Sequence, residues 1–266
     1  MKELFTMWKY GTMVALTVLC AGIYMLLLLP SKAVPIIPGY TQIRPACLFP
    51  VIFGLLFGPA GAWGSALGNL AGDLFGEFGI VSVFGFIGNI LFAYIPYKLW
   101  GSFRLKRGED RLPTINSPSK LVKFGIVSFT ASIACALVIG WGVDVLKLVP
   151  FTLLSVIILL NNTVMTLIFG PIVLPIAYRL AKKAGVLWTD VMRKEDISRP
   201  ASEKIYSYMI YFGAIGGFIS GLTLALLFAG QTISGHGIST AGMGSPFIAI
   251  GVLPFLIILF YGAFNS

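Results

Sequence analysis

Long apolar runs with few charged side chains restrict the possible folds of this chain more than any other feature of its sequence. A helix needs about 20 mostly apolar residues to cross a bilayer. Eight runs approach that length: residues 8–29, 46–57, 60–76, 80–99, 124–145, 151–180, 206–229 and 247–264. The second run is the shortest, and it fits a re-entrant segment as well as a full crossing.

The scarcity of charge excludes an ordinary soluble protein. Only 11% of the 266 residues are charged and 57% are hydrophobic, whereas soluble globular chains are about 25% charged because water covers their surface. The sequence therefore predicts an all-α, polytopic transmembrane helical bundle of about eight spans.

The positions of the lysines and arginines predict how this bundle is oriented. If the N-terminus is cytoplasmic and every run crosses once, only Lys32, Arg44 and Lys147 of the 19 basic residues lie outside. Such a bias is typical of inner-face loops, and it explains the net charge of +9 without a nucleic-acid partner. We expect a multi-pass protein of the cell membrane with both termini in the cytoplasm.

Polar stretches divide the chain. The first outer loop, residues 30–45, contains four prolines, which favours an ordered cover over a helix. Residues 184–204 separate a six-helix bundle (1–183) from a two-helix hairpin (205–266). Within this linker, Val186, Leu187, Val191 and Met192 fall near one helical face, which indicates either an amphipathic helix in the inner interface or a solvated linker.

Polar side chains inside the apolar runs are the candidate functional residues, because an ionisable group in a span is costly unless it faces protein or water. Residues 69, 73 and 77 fall on one helix face, and three further asparagines lie at comparable depth in other spans. The predicted solute-binding set is Arg44, Asn69, Asp73, Glu77, Asn89, Asn161 and Asn162. The alternative is structural: asparagines that cross-link helices, with Asp73 paired to Arg44.

The third run also contains a stripe of small residues. Its glycines are spaced three or four apart, at Gly61, Gly64, Gly68, Gly72 and Gly76. This spacing lets two helix backbones approach closely in a membrane, so we expect a tight helix contact along this stripe.

No cofactor is predicted. The three cysteines are isolated and His236 is the only histidine, so the spacings of a metal or redox site are missing. The phosphate-binding motif G-x-x-x-x-G-K-[ST] does not occur either, so any use of ATP would require partner subunits.

Three short stretches and one helix resemble a known family: Arg44 with Pro45, residues 55–62 (LLFGPAGA), residues 68–74 (GNLAGDL) and residues 161–180. The family is the substrate-binding (S) components of energy-coupling factor (ECF) transporters for vitamins, and the resemblance spans residues 7–183. It implies a six-helix bundle that captures a vitamin or similar micronutrient from outside beneath its first outer loop.

The resemblance also implies partners. S components dock on a transmembrane coupling subunit through small residues on the first helix, and two ATPases drive the cycle. The usual docking motif is two alanines four apart, for which Gly11 and Ala15 are the nearest match here. The last two helices have no counterpart in the family.

The favoured function is therefore a transport component that binds a small polar solute. One alternative is a membrane-embedded enzyme acting on a lipid or isoprenoid. Such an enzyme would need paired carboxylates with a histidine, or an aspartate-rich metal motif, and Asp73 and Glu77 are the only acids within one span. A membrane sensor or assembly protein is the other alternative, although no soluble signalling domain accompanies the bundle.

Overall fold

The computed structural model describes residues 2–33, 35–37, 40–42, 44–75, 78–102, 112–197, 203–228 and 246–266. Its elements are ten α-helices and two short strands: α1 Lys2–Thr6, α2 Gly11–Leu28, β1 Pro35–Ile37, β2 Thr41–Gln42, α3 Leu48–Phe57, α4 Pro59–Asp73, α5 Val81–Ser102, α6 Pro118–Val145, α7 Phe151–Ala184, α8 Trp188–Val191, α9 Glu203–Phe228 and α10 Pro246–Asn265. Single 3₁₀ turns join several of them.

Six of these helices are long and apolar enough to cross a membrane, namely α2, α5, α6, α7, α9 and α10. The prediction of a polytopic helical membrane protein is confirmed. The two short runs form α3, of 10 residues, and α4, of 15 residues. At 1.5 Å per residue they reach about 15 and about 22 Å, less than a hydrocarbon core of about 30 Å.

Helices α3 and α4 form a tight antiparallel hairpin. Gly58 at the turn has a φ of +54°, a conformation that glycine adopts without strain, and Pro59 begins α4, where its missing N–H costs no hydrogen bond. A methyl group on Gly61 would stand 2.3 Å from the Phe53 carbonyl. Only glycine at that position lets the two backbones come so close.

Three glycines of the stripe, Gly64, Gly68 and Gly72, pack against α2, as their spacing predicts, whereas Gly76 lies outside the described residues. A methyl group on Gly64 would lie 2.4 Å from the Cys20 Cβ, and one on Gly68 would lie 2.7 Å from the Ala21 carbonyl oxygen. The residue numbers of the contacting residues increase along both helices in the same direction, so α2 and α4 run parallel, and α3 runs antiparallel to them. The ends of α2 and α4 therefore lie at the same end of the bundle as the starts of α3 and α5.

The last two helices form an antiparallel pair on the outside of the bundle. Glycines of α9 face α10, with Gly213 against Leu259 and Gly216 against Phe255. The pair packs on α6 and α5, where the Trp141 indole donates to the Ala249 carbonyl at 3.2 Å. The helices that the S-component resemblance leaves without a counterpart thus cover one side of the bundle.

The prediction of an amphipathic helix in the linker is wrong for residues 185–197, the part of the linker that the structure describes. Helix α7 continues to Ala184 and ends at Gly185 in the left-handed conformation, after which only the single turn Trp188–Val191 is α-helical. Leu187 and Met192 are buried and pack on the bundle rather than facing a lipid interface. Residues 198–202 lie outside the described part of the chain.

A buried ionic cluster joins three distant parts of the chain. Glu3 is fully buried and pairs with Lys98 of α5, and it also accepts a hydrogen bond from the Tyr94 hydroxyl at 3.0 Å. Lys98 also donates to the carbonyl of Ser266, after α10. Burial opposes ionisation of Glu3, but the Lys98 ammonium keeps its pKa below the ordinary carboxyl value. The Glu3–Lys98 ion pair and the hydrogen bond from Lys98 to Ser266 therefore hold α1, α5 and the end of α10 together.

A second polar contact holds the linker against the N-terminal segment. The Tyr10 hydroxyl donates to Asp196 Oδ2 at 2.5 Å, and Lys9 pairs with Oδ1 at 3.4 Å. The Thr6 hydroxyl donates to the Asp196 backbone carbonyl at 2.9 Å. The hydrogen bond from Tyr10 lowers the pKa of Asp196, and the same bond raises the pKa of Tyr10.

This contact should weaken in acid. Because the pKa of Asp196 is lower in the folded protein, its stabilising effect is present above the ordinary carboxyl pKa of about 4 and is lost as the pH falls through the folded value. Hydrogen exchange of residues 190–197, corrected for intrinsic rates, should show protection at pH 5–7 that disappears in stronger acid. Asp196→Ala should lack that protection at every pH. Equal protection in the parent and the variant would contradict a role for this carboxylate.

Candidate functional site

A cavity lies between the helices at the end of the bundle where α2 and α4 end and α3, α5 and α7 begin. It contains about 590 Å³ of empty space, a volume that includes the open mouth of the cavity. Its wall is formed by Tyr24, Tyr40, Arg44, Cys47, Asn69, Asp73, Val81, Ser82, Gly85, Asn89, Cys135, Ile139, Ile158, Asn161 and Asn162. Amides and charges share this wall with apolar side chains, as is usual for a site that orients a polar ligand.

Helix α4 contributes an amide and a carboxylate from one face. Asn69 and Asp73 are one turn apart, and the Asn69 amide donates to Asp73 Oδ2 at 3.3 Å. Both side chains are buried. A carboxylate so placed would accept hydrogen bonds from a bound solute in a region with little water, where such bonds are strong.

Arg44 crosses the mouth of the cavity just before α3. Its backbone N–H donates to Asn161 Oδ1 of α7 at 3.2 Å, and its guanidinium donates to Asn69 Oδ1 of α4 at 3.4 Å. A chain of hydrogen bonds thus runs from Asn161 through Arg44 and Asn69 to Asp73, and Asn69 lies between the two charged groups. The segment that precedes α3 is thereby fixed to two helices, α7 and α4.

The opposite wall is formed by α2, α5 and α6. The Tyr24 hydroxyl donates to Asn89 Oδ1 at 3.0 Å, and the Asn89 amide donates to the Gly85 carbonyl at 2.8 Å. Asn162 of α7 is buried beside the Cys135 thiol of α6. Asn89 therefore links α5 to α2, Asn161 links α7 to the segment before α3, and both side chains also line the cavity.

Six of the seven predicted solute-binding residues meet in this one cavity: Arg44, Asn69, Asp73, Asn89, Asn161 and Asn162. The seventh, Glu77, lies outside the described residues. That these side chains bind a solute stays a prediction. Sequence reasoning missed the two tyrosines and two cysteines of the wall, although Tyr24 is a hydroxyl in the middle of an apolar run and could have been singled out.

The predicted docking residues lie on a different surface. Gly11 and Ala15 are exposed on α2, and no described atom outside that helix lies within 4 Å of a methyl group placed on Gly11. This face of α2 is bare along its first turns, so it is accessible to a partner helix. Its contact with a coupling subunit stays a prediction.

Comparison with known proteins assigns the family. A family model described as "QueT transporter" matches residues 14–179, which is more than half of the chain and covers α2 to most of α7. No curated protein and no solved structure matches the chain. The match includes every cavity residue and excludes the last two helices. The resemblance to S components is confirmed, and the chain belongs to the QueT transporter family of ECF-type S components.

Proposed function

We propose that this protein captures a precursor of queuosine from the outer face of the cell membrane and passes it inward with a coupling subunit and ATPases. The family is one of transporters and is associated with queuosine precursors. The observation that carries the proposal is the amide-rich cavity at the loop end of the bundle. Queuosine contains a 7-deazaguanine ring, so the solute class is a flat base with hydrogen-bond donors and acceptors on its edge.

The cavity wall suits such a base. Asp73 would accept hydrogen bonds from adjacent N–H groups of the ring, and Arg44 would donate to its carbonyl oxygen. Tyr24 and Tyr40 would contribute aromatic surface on which a planar ring packs. Ile139 and the other aliphatic side chains of the wall would exclude water around these bonds.

The proposed orientation places the cavity outside and both termini in the cytoplasm. Of the about eight predicted spans, α3 and α4 are shorter than the hydrocarbon core and form a hairpin that enters from the outer face and returns to it. Sixteen basic residues then lie inside and three outside, in agreement with the positive-inside rule. We further divide the chain into a binding bundle (1–183), a linker (184–204) and a hairpin (205–266).

Affinity purification from the native membrane tests the partners, and binding of 7-deazaguanine to the purified protein tests the solute. We expect a transmembrane coupling subunit and two ATPases to be recovered with the protein. We also expect the purified protein to bind 7-deazaguanine, and excess guanine to displace it only weakly. Recovery of the protein alone, together with no 7-deazaguanine binding, would overturn the proposal.

Replacing both Gly11 and Ala15 with leucine should abolish recovery of the coupling subunit, because two bulky side chains would hold a partner helix away from a face that now allows close approach. Solute binding should be unchanged, since neither residue lines the cavity. Thr223→Leu, which adds bulk to an exposed position on α9, is the control. Recovery of the subunit with the double variant would reject this docking face.

A further inference from the structure

The C-terminal helix pair packs directly behind one wall of the cavity. Helix α6 separates the two: Cys135 and Ile139 face the cavity, whereas Leu137 and Trp141 contact the pair. Any shift of α9 or α10 toward or away from α6 therefore reaches the back of the candidate site.

Glycines make this contact unusually close. A methyl group on Gly217 of α9 would lie 2.8 Å from Leu137 Cδ2, and one on Gly221 would lie 2.5 Å from Phe151 Cε1 at the start of α7. Phe218 packs on the same Phe151 ring, with centroids 6.1 Å apart. Leu137 and Phe151 are fully buried, so a larger side chain at either glycine would push one of them against the packing of α6 or α7, because packed interiors have little free space.

Close packing also joins α6 to α7 and to α5, the helices that form the cavity wall. Gly140 of α6 touches α7, where a methyl group would lie 2.7 Å from the Ser155 Cβ. The neighbouring Ile139 packs on α5, with its Cγ1 2.8 Å from a methyl group placed on Gly88, the residue before Asn89. The helix pair, α6, α7 and the amide-bearing face of α5 are thus stacked in direct contact.

Helix α7 packs mainly on α6 and α3, and α9 adds a smaller contact at its first turn. Leu153, Leu160 and Val164, on its outward side, are exposed, and its neighbours among the described helices are α3, α6 and α9. The packing of Gly221 and Phe218 on Phe151 therefore limits how far the first half of α7, which carries Asn161 and Asn162, moves outward.

We propose that the C-terminal helix pair is a positioning element of the solute site. It presses the wall formed by α6 and α7 against α5, so that Asn89, Asn161 and Asn162 stay at the separations that one solute requires. The pair lies outside the matched family region, residues 14–179. The part of the inference that concerns affinity rests on the proposed function, whereas the part that concerns the wall does not.

A labelling experiment tests the wall without any solute. Replacing Cys20 and Cys47 with alanine leaves Cys135, which lines the cavity, as the only thiol in the chain. Its reaction rate with a small water-soluble methanethiosulfonate should rise several-fold when Gly221→Leu is added, because the wall opens. Thr223→Leu, two residues along α9 on its exposed side, should leave the rate unchanged.

A size-compensating pair separates positioning from general damage. Gly221→Leu in the otherwise unchanged protein should weaken 7-deazaguanine binding about tenfold, as expected for a small misplacement of binding groups. Adding Phe151→Ala vacates the space that leucine needs and should restore the binding and, in the single-cysteine protein, the slow labelling. Gly221→Ala adds only a methyl group, so it should change the labelling rate and the affinity in the same directions but less. It replaces the leucine variant in the experiment if that variant does not fold.

Two results would overturn the inference. One is a Cys135 labelling rate that stays at the parent value in both Gly221 variants. The other is a rise in that rate that Phe151→Ala fails to reverse. If the parent protein does not bind 7-deazaguanine, the proposed solute is wrong, but the labelling rates still decide whether the helix pair positions the wall.

Discussion

Replacing Asp73 with asparagine should lower solute affinity about 100-fold and leave the protein folded. The substitution keeps the size of the side chain but removes its negative charge, and hydrogen bonds to a charged group contribute about 1.5–3 kcal/mol each, or about 10- to 100-fold in affinity. Isothermal titration of the purified protein with 7-deazaguanine would measure the change. Thermal unfolding without solute should stay within a few degrees of the parent.

A second cavity variant and an exposed control complete this test. Asn162→Ala should also weaken solute binding strongly, because it removes a buried amide from the opposite side of the cavity. Asp190→Asn removes a carboxylate from an exposed position in the linker and should bind like the parent. Unchanged affinity in both Asp73→Asn and Asn162→Ala would show that the solute binds elsewhere.

Gly68→Leu should damage the fold more than the cavity substitutions or the docking-face substitutions do. A methyl group at this position already lies 2.7 Å from the Ala21 carbonyl oxygen and 3.1 Å from its Cα, and a backbone cannot move aside as a flexible side chain can. Overpacking of a tight contact costs about 1–3 kcal/mol and sometimes more, which corresponds to a fall in Tm of about 2–12 °C at roughly 2–4 °C per kcal/mol. Heat-induced aggregation in detergent, followed by size-exclusion chromatography, would measure this fall.

The next glycine of the stripe provides the matched control. Around Gly72 the nearest atom to an added methyl group is Leu28 Cδ1, at 3.6 Å, an ordinary contact distance. Gly72→Ala should therefore be tolerated. Its thermal stability should even rise slightly, because alanine favours the helical conformation more than glycine does. If Gly68→Leu is as heat-stable as the parent, the contact between α2 and α4 is not the close packing described above.

Much of the architecture could be predicted because membrane helices are constrained by composition and length. The shortage of charge and the apolar runs predicted the helical bundle, and the glycine spacing predicted the contact of α4 with another helix. The linker could not be read in the same way. The pattern of Leu187 and Met192 fits an amphipathic helix as well as it fits isolated core residues. Only their tertiary contacts decide, since Leu187 belongs to the main core and Met192 packs near the starts of α2 and α4.

The candidate site was partly visible in the sequence for a similar reason. Buried amides and acids stand out in an apolar span because they are costly there, so Asn69, Asp73 and Asn89 attracted notice. Tyr24 and Cys135 did not, since tyrosine and cysteine are also common packing residues. Their place in the wall depends on how each helix is rotated about its axis. A helix that is hydrophobic on every side has no apolar pattern that specifies this rotation.

The cluster around Lys98 has a consequence for how the protein is made. Its partners, Glu3 and Ser266, are separated by nearly the whole chain, so ribosomal synthesis supplies one of them among the first residues and the other only after α10. Until α10 has been inserted, the ammonium group lacks one of its hydrogen-bond acceptors. The cluster is therefore complete only when α1, α5 and α10 are all in place, and a chain arrested before α10 would leave the Lys98 ammonium with one hydrogen-bond acceptor fewer.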